Sequence, residues 1–255
     1  MNFTDKVVAV TGAGGGIGAA IVKKFTGLGA KAALLDLSQD LCQKTAQTLG
    51  LDEGHAFCLG VDISDEKQVR TAVAQIVAHY GRIDALVNAA GIPGPSARTE
   101  DYTFADVKKV FAVNVFGTFL MMQNVLPVMQ KQKSGAIVNL GSVSGMCGYP
   151  YEIAYGASKA AVIQMSKNAA NENGGNGVRI NAISPGWVNT GMMKTILASY
   201  KDVGIENSSD NVTLGPMGRP GEPDEIAEAI AFLCSEEAAY VNGTNFLVDG
   251  GMTLG

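Results

Sequence analysis

Tyr155 and Lys159 stand four residues apart in Tyr155-Gly156-Ala157-Ser158-Lys159, and Ser142 precedes the tyrosine by thirteen positions. On a helix, the four-residue spacing puts both side chains on one face, one turn apart. A phenol, with a reference pKa of about 10, is a poor proton carrier near neutrality. A nearby ammonium favours the phenolate and lowers that value. Ser142 closes the strand-like run from Ala136 to Leu140. Its hydroxyl can hydrogen-bond a substrate oxygen that the tyrosine also touches. The chemistry implied is proton transfer to or from an alcohol, coupled to departure of a hydride. Alone, a Tyr-x-x-x-Lys pair more often means a buried tyrosine beside a surface lysine; the rest of the chain must decide.

A hydride needs an acceptor, and the N-terminal third offers a place for one. The β-branched run Lys6–Thr11 reads as a strand buried on both faces. Gly12-Ala13-Gly14-Gly15-Gly16-Ile17-Gly18 follows, then a helix over Ala19–Phe25 that ends near Gly27 or Gly29. Strand, glycine turn and helix start make a phosphate cradle, because glycines let the backbone approach a pyrophosphate and the helix offers free N–H groups. The next strand, Lys31–Asp36, ends in a carboxylate suited to the adenosine ribose hydroxyls. Leu37 and Ser38 follow it, with no basic neighbour to take a 2′-phosphate. NAD is therefore expected over NADP.

The elements that position these residues recur regularly. Further strands are expected at Ala56–Val61, Ile83–Asn88, Gly135–Ser142, Val178–Ile183 and Asn245–Gly251. Helices are expected from a half capping box at Ser64 to Tyr80, over Thr103–Met129, through Tyr155 to Glu172, and from Glu222 to Leu233. Alternation of strand and helix predicts one α/β domain over 1–255, a doubly wound Rossmann-like parallel sheet of seven strands with helices on both faces. Ligands then gather at the carboxyl ends of the strands. Gly12, Asp36, Asp62, Asn88, Ser142 and Pro185 all fall at such ends. The stretch 187–217 breaks the rhythm and reads as a substrate lid. Met192, Met193, Ile196, Leu197 and Tyr200 form its apolar stripe, and Asn207–Asn211 a polar loop.

Composition narrows the class. Of 255 residues, 47% are hydrophobic and 17% charged, with a net charge of −5. No basic run suggests a nucleic-acid or membrane partner. No apolar run is expected to span a bilayer and no signal-peptide pattern opens the chain, which together suggest a cytoplasmic protein. Cys42, Cys58, Cys147 and Cys234 are scattered, and the two histidines stand apart from any cysteine pair. Neither a disulfide nor a metal site is expected.

With these motifs in place, the chain resembles the short-chain dehydrogenase/reductase family from end to end. The resemblance is carried by Thr11-Gly12-x-x-x-Gly16-x-Gly18, Asn88-Ala89-Ala90-Gly91, Asn114, Ser142, Tyr155-x-x-x-Lys159 and Pro185-Gly186. It implies Tyr155 as acid/base and Ser142 as partner of the substrate oxygen. Lys159 would lower the tyrosine pKa and bind the nicotinamide ribose, and Asn114 would hold a water in a proton relay. It implies a cofactor site at Gly12, Gly15, Gly16, Ile17 and Gly18, at Asp36 and Leu37, and at Asp62 and Ile63. Asn88, Ala89, Gly91, Pro185, Gly186, Val188 and Thr190 would complete it. Ile63 replaces the valine of many relatives. The family is commonly tetrameric, and the long apolar helix faces here lead to the same expectation. Ser144, Tyr149, Trp187, Met192 and Met193, with Ser142, are the candidate substrate contacts. None of the five is charged, so a neutral, largely apolar secondary alcohol or ketone is the expected small-molecule substrate. The alternatives are a 3-oxoacyl thioester reductase, a polyol or sugar dehydrogenase, and a cofactor-sensing protein without turnover.

Overall fold

Seven strands form one sheet in the order β3-β2-β1-β4-β5-β6-β7, and every neighbouring pair is parallel. They are β1 Val7–Thr11, β2 Lys31–Asp36, β3 Ala56–Gly60, β4 Ala85–Asn88, β5 Gly135–Leu140, β6 Val178–Pro185 and β7 Asn245–Val248. The helices between them are α1 Gly16–Gly27, α2 Gln39–Thr48, α3 Glu66–Tyr80, α4 Phe104–Phe111, α5 Thr118–Gln132, α6 Ile153–Asn173, α7 Gly191–Ser199 and α8 Pro223–Cys234. The computed structural model describes residues 1–205 and 214–254. The expected polar loop Asn207–Asn211, and with it part of the expected lid, lies outside the described residues.

Strand β1 shows why its run is uniformly apolar. Val8 and Val10 pack into one cluster with Ile21 and Phe25 of α1, Cys42 of α2 and Ile230 of α8. Val7 and Ala9 point the other way, against Val69 and Ile76 of α3 and Met121 and Val125 of α5. Successive side chains alternate across a strand, so a sheet covered on both faces needs apolar residues throughout. The order reverses between β1 and β4, which both border the same crevice. That switch point is where ligands bind in such sheets.

Three local features differ from expectation. The cap of α3 is Asp65 rather than Ser64: its carboxylate accepts the N–H groups of Lys67 and Gln68. Ser64 is already committed to Asp62 Oδ1 through both its N–H and its hydroxyl. The expected helix 103–129 is interrupted by a π-helical segment, Ala112–Gly117, centred on Asn114. Hydrophobic spacing continues across it, so periodicity gives no sign of the extra residue in the turn. The continuous segment Phe104–Gln132 also contains an 18-residue window with a mean hydropathy of 1.4, enough to cross a bilayer by length and composition, contrary to the sequence expectation. Its apolarity has a local cause: Met121, Met122, Val125 and Met129 are buried against the sheet, while Phe104, Phe116 and Phe119 lie exposed on another side.

Candidate active site

A cavity of about 720 Å³ opens at the carboxyl ends of the strands. One end is built by the β1–α1 turn. Gly12 has φ +68°, and a Cβ there would lie 2.8 Å from the Ala90 backbone, so only glycine fits. A Cβ on Gly18 would overlap the Gly12 carbonyl. The N-cap of α1, Gly15, has no side chain to cap the helix, and the first turn carries no acid. The N–H groups that begin α1 are thus left for an anion. Gly15, Gly16 and Ile17 line the cavity beside them.

Asp36 closes β2 at the far edge. Its Oδ2 accepts the Gly14 N–H at 3.0 Å and its Oδ1 the Leu37 N–H at 2.8 Å. The carboxylate is thereby fixed against the glycine turn, facing the same cavity as Leu37, Asp62 and Ile63. Lys159 is the one basic residue among those lining this cavity. A glycine cradle, an uncapped helix start and a fixed carboxylate fit a dinucleotide.

At the other end, Ser142 caps the short helical turn after β5, its Oγ accepting the Ser144 N–H at 3.2 Å. Tyr155 and Lys159 project from the first turns of α6 into the same cavity. Lys159 Nζ donates to the Leu140 carbonyl at 2.7 Å and stands 5.7 Å from the Tyr155 ring centre. Burial pushes the Tyr155 phenol up to about 12; Ser142 hydrogen bonding opposes this and the Glu152 charge adds to it. Burial also pulls the Lys159 ammonium down to about 8. In the chain by itself burial therefore dominates the phenol, and the expected lowering by lysine is not among its causes.

Asn114 and Asn88 do not line this cavity, unlike every other cofactor, substrate or catalytic residue expected from sequence. Asn114 is buried at 1% exposure. Its Oδ1 accepts the Ile92 N–H at 2.9 Å, and its Nδ2 donates to the Ile92 carbonyl and to Ser158 Oγ, both at 3.0 Å. The amide has both N–H donors and one acceptor site of its oxygen taken by protein groups. It ties down the segment after Gly91, where a Cβ would stand 3.2 Å from Asn114 Oδ1 and 3.5 Å from Lys159 Nζ. Asn88 lies within the sheet and donates to Asn139 Oδ1 at 2.8 Å; its role is one layer beneath the cavity floor, formed by Ala89, Ala90 and Gly91.

Pro185, Gly186, Val188 and Thr190 reach the cavity from the end of β6, and Thr190 caps α7 by accepting the Met193 N–H. Trp187, Met192, Met193, Ile196 and Tyr200 form the apolar wall, with Tyr149 opposite; Leu197 of the expected stripe is not part of it. Within the expected lid, Gly191–Ser199 form a regular helix, α7. Asn189 is exposed and donates to Glu222, so it faces away. Sequence reasoning missed Glu152, Tyr151, Ile92 and Met252, which also line the cavity. Glu152 had a readable signal, an acid three residues before the tyrosine.

Comparison with known proteins agrees with this geometry. A family model described as enoyl-(acyl carrier protein) reductase matches residues 12–253. The 2-(S)-hydroxypropyl-CoM dehydrogenase 3 of Xanthobacter autotrophicus is 40% identical over 253 residues, covering 99% of this chain and 98% of the relative. The levodione reductase of Leifsonia aquatica is 38% identical, covering 99% and 96%. Among solved structures, a levodione reductase superposes with a TM-score of 0.94 at 36% identity, covering 99% of both chains. An NAD+-bound xylitol dehydrogenase superposes at 0.92 and 33% identity, covering 98% of this chain and 100% of that one. The chain belongs to the short-chain dehydrogenase/reductase family and is an oxidoreductase that interconverts secondary alcohols and ketones with a nicotinamide cofactor.

Proposed function

We propose that the cofactor is NAD and that the substrate is a secondary alcohol or ketone with an apolar body and no anionic group. One observation carries this reading: a single cavity joins the glycine turn and Asp36 at one end to Ser142, Tyr155 and Lys159 under an apolar wall at the other. Asp36, with no basic side chain beside it, would meet a 2′-phosphate with like charge but suits the ribose hydroxyls. Asp62 and Ile63 would border the adenine, and Thr190, Pro185, Gly186 and Val188 the nicotinamide end.

When bound, the nicotinamide supplies or accepts the hydride. Tyr155 moves the proton at the carbinol oxygen, which Ser142 Oγ holds from a second side. Lys159 brings positive charge and hydrogen-bonding capacity to the ribose and the phenol. Asn114 is a positioning residue: it holds Ile92 and Ser158, and through them the floor beside Lys159. The apolar wall rewards buried substrate area at about 25 cal/mol per Å² and penalises an unpaired phosphate or carboxylate. A homotetramer accords with the exposed apolar side chains Phe104, Phe116 and Phe119 between β4 and β5, and Phe246 and Leu247 on the edge strand β7. A cytoplasmic location accords with four free thiols.

The test is Tyr155→Phe. Turnover of a secondary alcohol, followed by NADH absorbance, should fall by about 10²–10⁴-fold, the usual range for a general acid–base group. NADH binding, followed by its fluorescence, should persist. In the parent enzyme, oxidation should accelerate with rising pH as the phenol ionises, and the variant should lose that slope. A variant with near-normal rates assigns the proton transfer to another group.

A further inference from the structure

The substrate end of the cavity holds a carboxyl group that has no cation beside it. Glu152 occupies the N-cap position of α6. An acid there ordinarily accepts N–H groups of the first turn, yet Glu152 makes no capping bond. Its side chain instead turns toward the loop after β5, where Ser144 Oγ donates to its Oε2 at 2.8 Å. That hydroxyl is its side chain's one hydrogen-bond partner among the described residues. No Lys, Arg or His pairs with it there either. Glu152 and Ser144 line both the main cavity and a smaller one of about 330 Å³ next to it.

The group is half-buried, and burial raises its carboxyl above the ordinary range against the opposing Ser144 bond. Its charge is felt by four phenols, raising Tyr102, Tyr149, Tyr155 and Tyr200. Tyr155 lies three residues further along, one helical turn away and within a small molecule's reach. An ionised carboxylate has about four acceptor sites; this one has a single donor and an apolar wall opposite. It lacks donors, and the bound substrate is the molecule in position to supply them.

We propose that Glu152 is a specificity-determining residue that accepts a hydrogen bond from a second donor on the substrate, a hydroxyl or an ammonium close to the reacting carbinol. Diols and amino alcohols with an apolar body are then preferred over simple alcohols, and anionic substrates are turned away. This rests on the assignment of Tyr155 as the proton carrier, which fixes where the carbinol sits. Because the carboxylate is half-buried and reachable by water, the preference is modest compared with that of a sealed site.

The experiment compares kcat/KM for cyclohexanol, trans-1,2-cyclohexanediol and trans-2-aminocyclohexanol at saturating NAD, in the parent enzyme and in Glu152→Gln. The parent should favour the diol or the amino alcohol over cyclohexanol by about tenfold or more, the worth of one charge-assisted hydrogen bond. In Glu152→Gln that ratio should collapse toward unity for the amine. The diol should lose less, since an amide oxygen still accepts; a larger fall for the amine identifies an ammonium, a comparable fall a hydroxyl. Equal kcat/KM for all three in the parent overturns the inference without reference to any variant. A preference that survives intact in a folded Glu152→Gln protein overturns the assignment to Glu152. Absence of NAD-linked turnover with any of the three, and with their ketones, overturns the underlying functional reading instead.

Discussion

Replacing Asn114 with alanine separates two roles for this side chain. A water-holding role in a proton relay predicts a slow but stable enzyme. The hydrogen bonds to Ile92 and Ser158 predict an unstable one. Asn114→Ala removes three bonds from a residue that is 1% exposed and leaves the Ile92 N–H and carbonyl without their partners. Each buried polar group left unpaired costs about 1–3 kcal/mol. Ser158 keeps its own bond to the Tyr155 carbonyl, and Ile92 borders the cavity, so water can satisfy part of the loss. The net cost is then about 2–4 kcal/mol, the lower part of the summed range.

For a chain of this length each kcal/mol shifts Tm by about 2–4 °C, so Asn114→Ala should melt roughly 5–15 °C below the parent. Differential scanning calorimetry measures this directly. The floor beside Lys159 should loosen as well, raising KM for NAD along with any fall in kcat. A variant that melts within about 1 °C of the parent, with kcat alone reduced, would refute the tie and return Asn114 to a purely chemical role.

The other predictions concern the ends of the cavity and the surface. Asp36→Ala should raise kcat/KM for NADP relative to NAD, since it removes the carboxylate that opposes a 2′-phosphate; steady-state kinetics with both cofactors check it, and an unchanged ratio removes Asp36 from cofactor choice. Phe116→Asp should break the expected tetramer, because Phe116 is 56% exposed on a helical segment that also exposes Phe104 and Phe119. Light scattering at micromolar concentration should give a tetramer for the parent and a smaller species for the variant, and a monomeric parent rejects the assembly.

Much of the fold could be read from residue order because two physical constraints coincide in it. A strand covered on both faces must be apolar at every position, and a turn that admits a phosphate must be glycine. Lys6–Thr11 followed by Gly12–Gly18 satisfies both, and β1 and α1 fall where they were expected. The π segment at Asn114 could not be read, since one added residue in a turn leaves the apolar spacing almost unchanged. The cap of α3 was misplaced by one residue because Ser64 and Asp65 are both good caps, and the choice depends on Asp62 claiming the serine. Glu152 was passed over for a similar reason. At a helix start an acid reads as a cap, and only the structure reveals that its side chain points elsewhere.

The distribution of charge along the cavity shows how one site can accept a dinucleotide and still refuse other anions. Among the described residues lining it, the carboxyls Asp36, Asp62 and Glu152 outnumber the single ammonium, Lys159. A carboxylate-lined cleft repels phosphate wherever side chains set the field. The exception is the start of α1, where no side chain caps the helix, the first turn carries no acid, and the partial positive charge comes from backbone N–H groups. A pyrophosphate would be accepted at that one place, while Asp36 would face the ribose beyond it and Glu152 the substrate at the opposite end. The proposed selectivities against a 2′-phosphate and against a charged substrate would then have the same origin, carboxylates held at the two ends of one cavity. Asp36 is held by the Gly14 and Leu37 N–H groups and Glu152 by Ser144. Converting either carboxylate to a neutral side chain should relax one selectivity and leave the other in place, because the two are held by separate partners at opposite ends of the cavity.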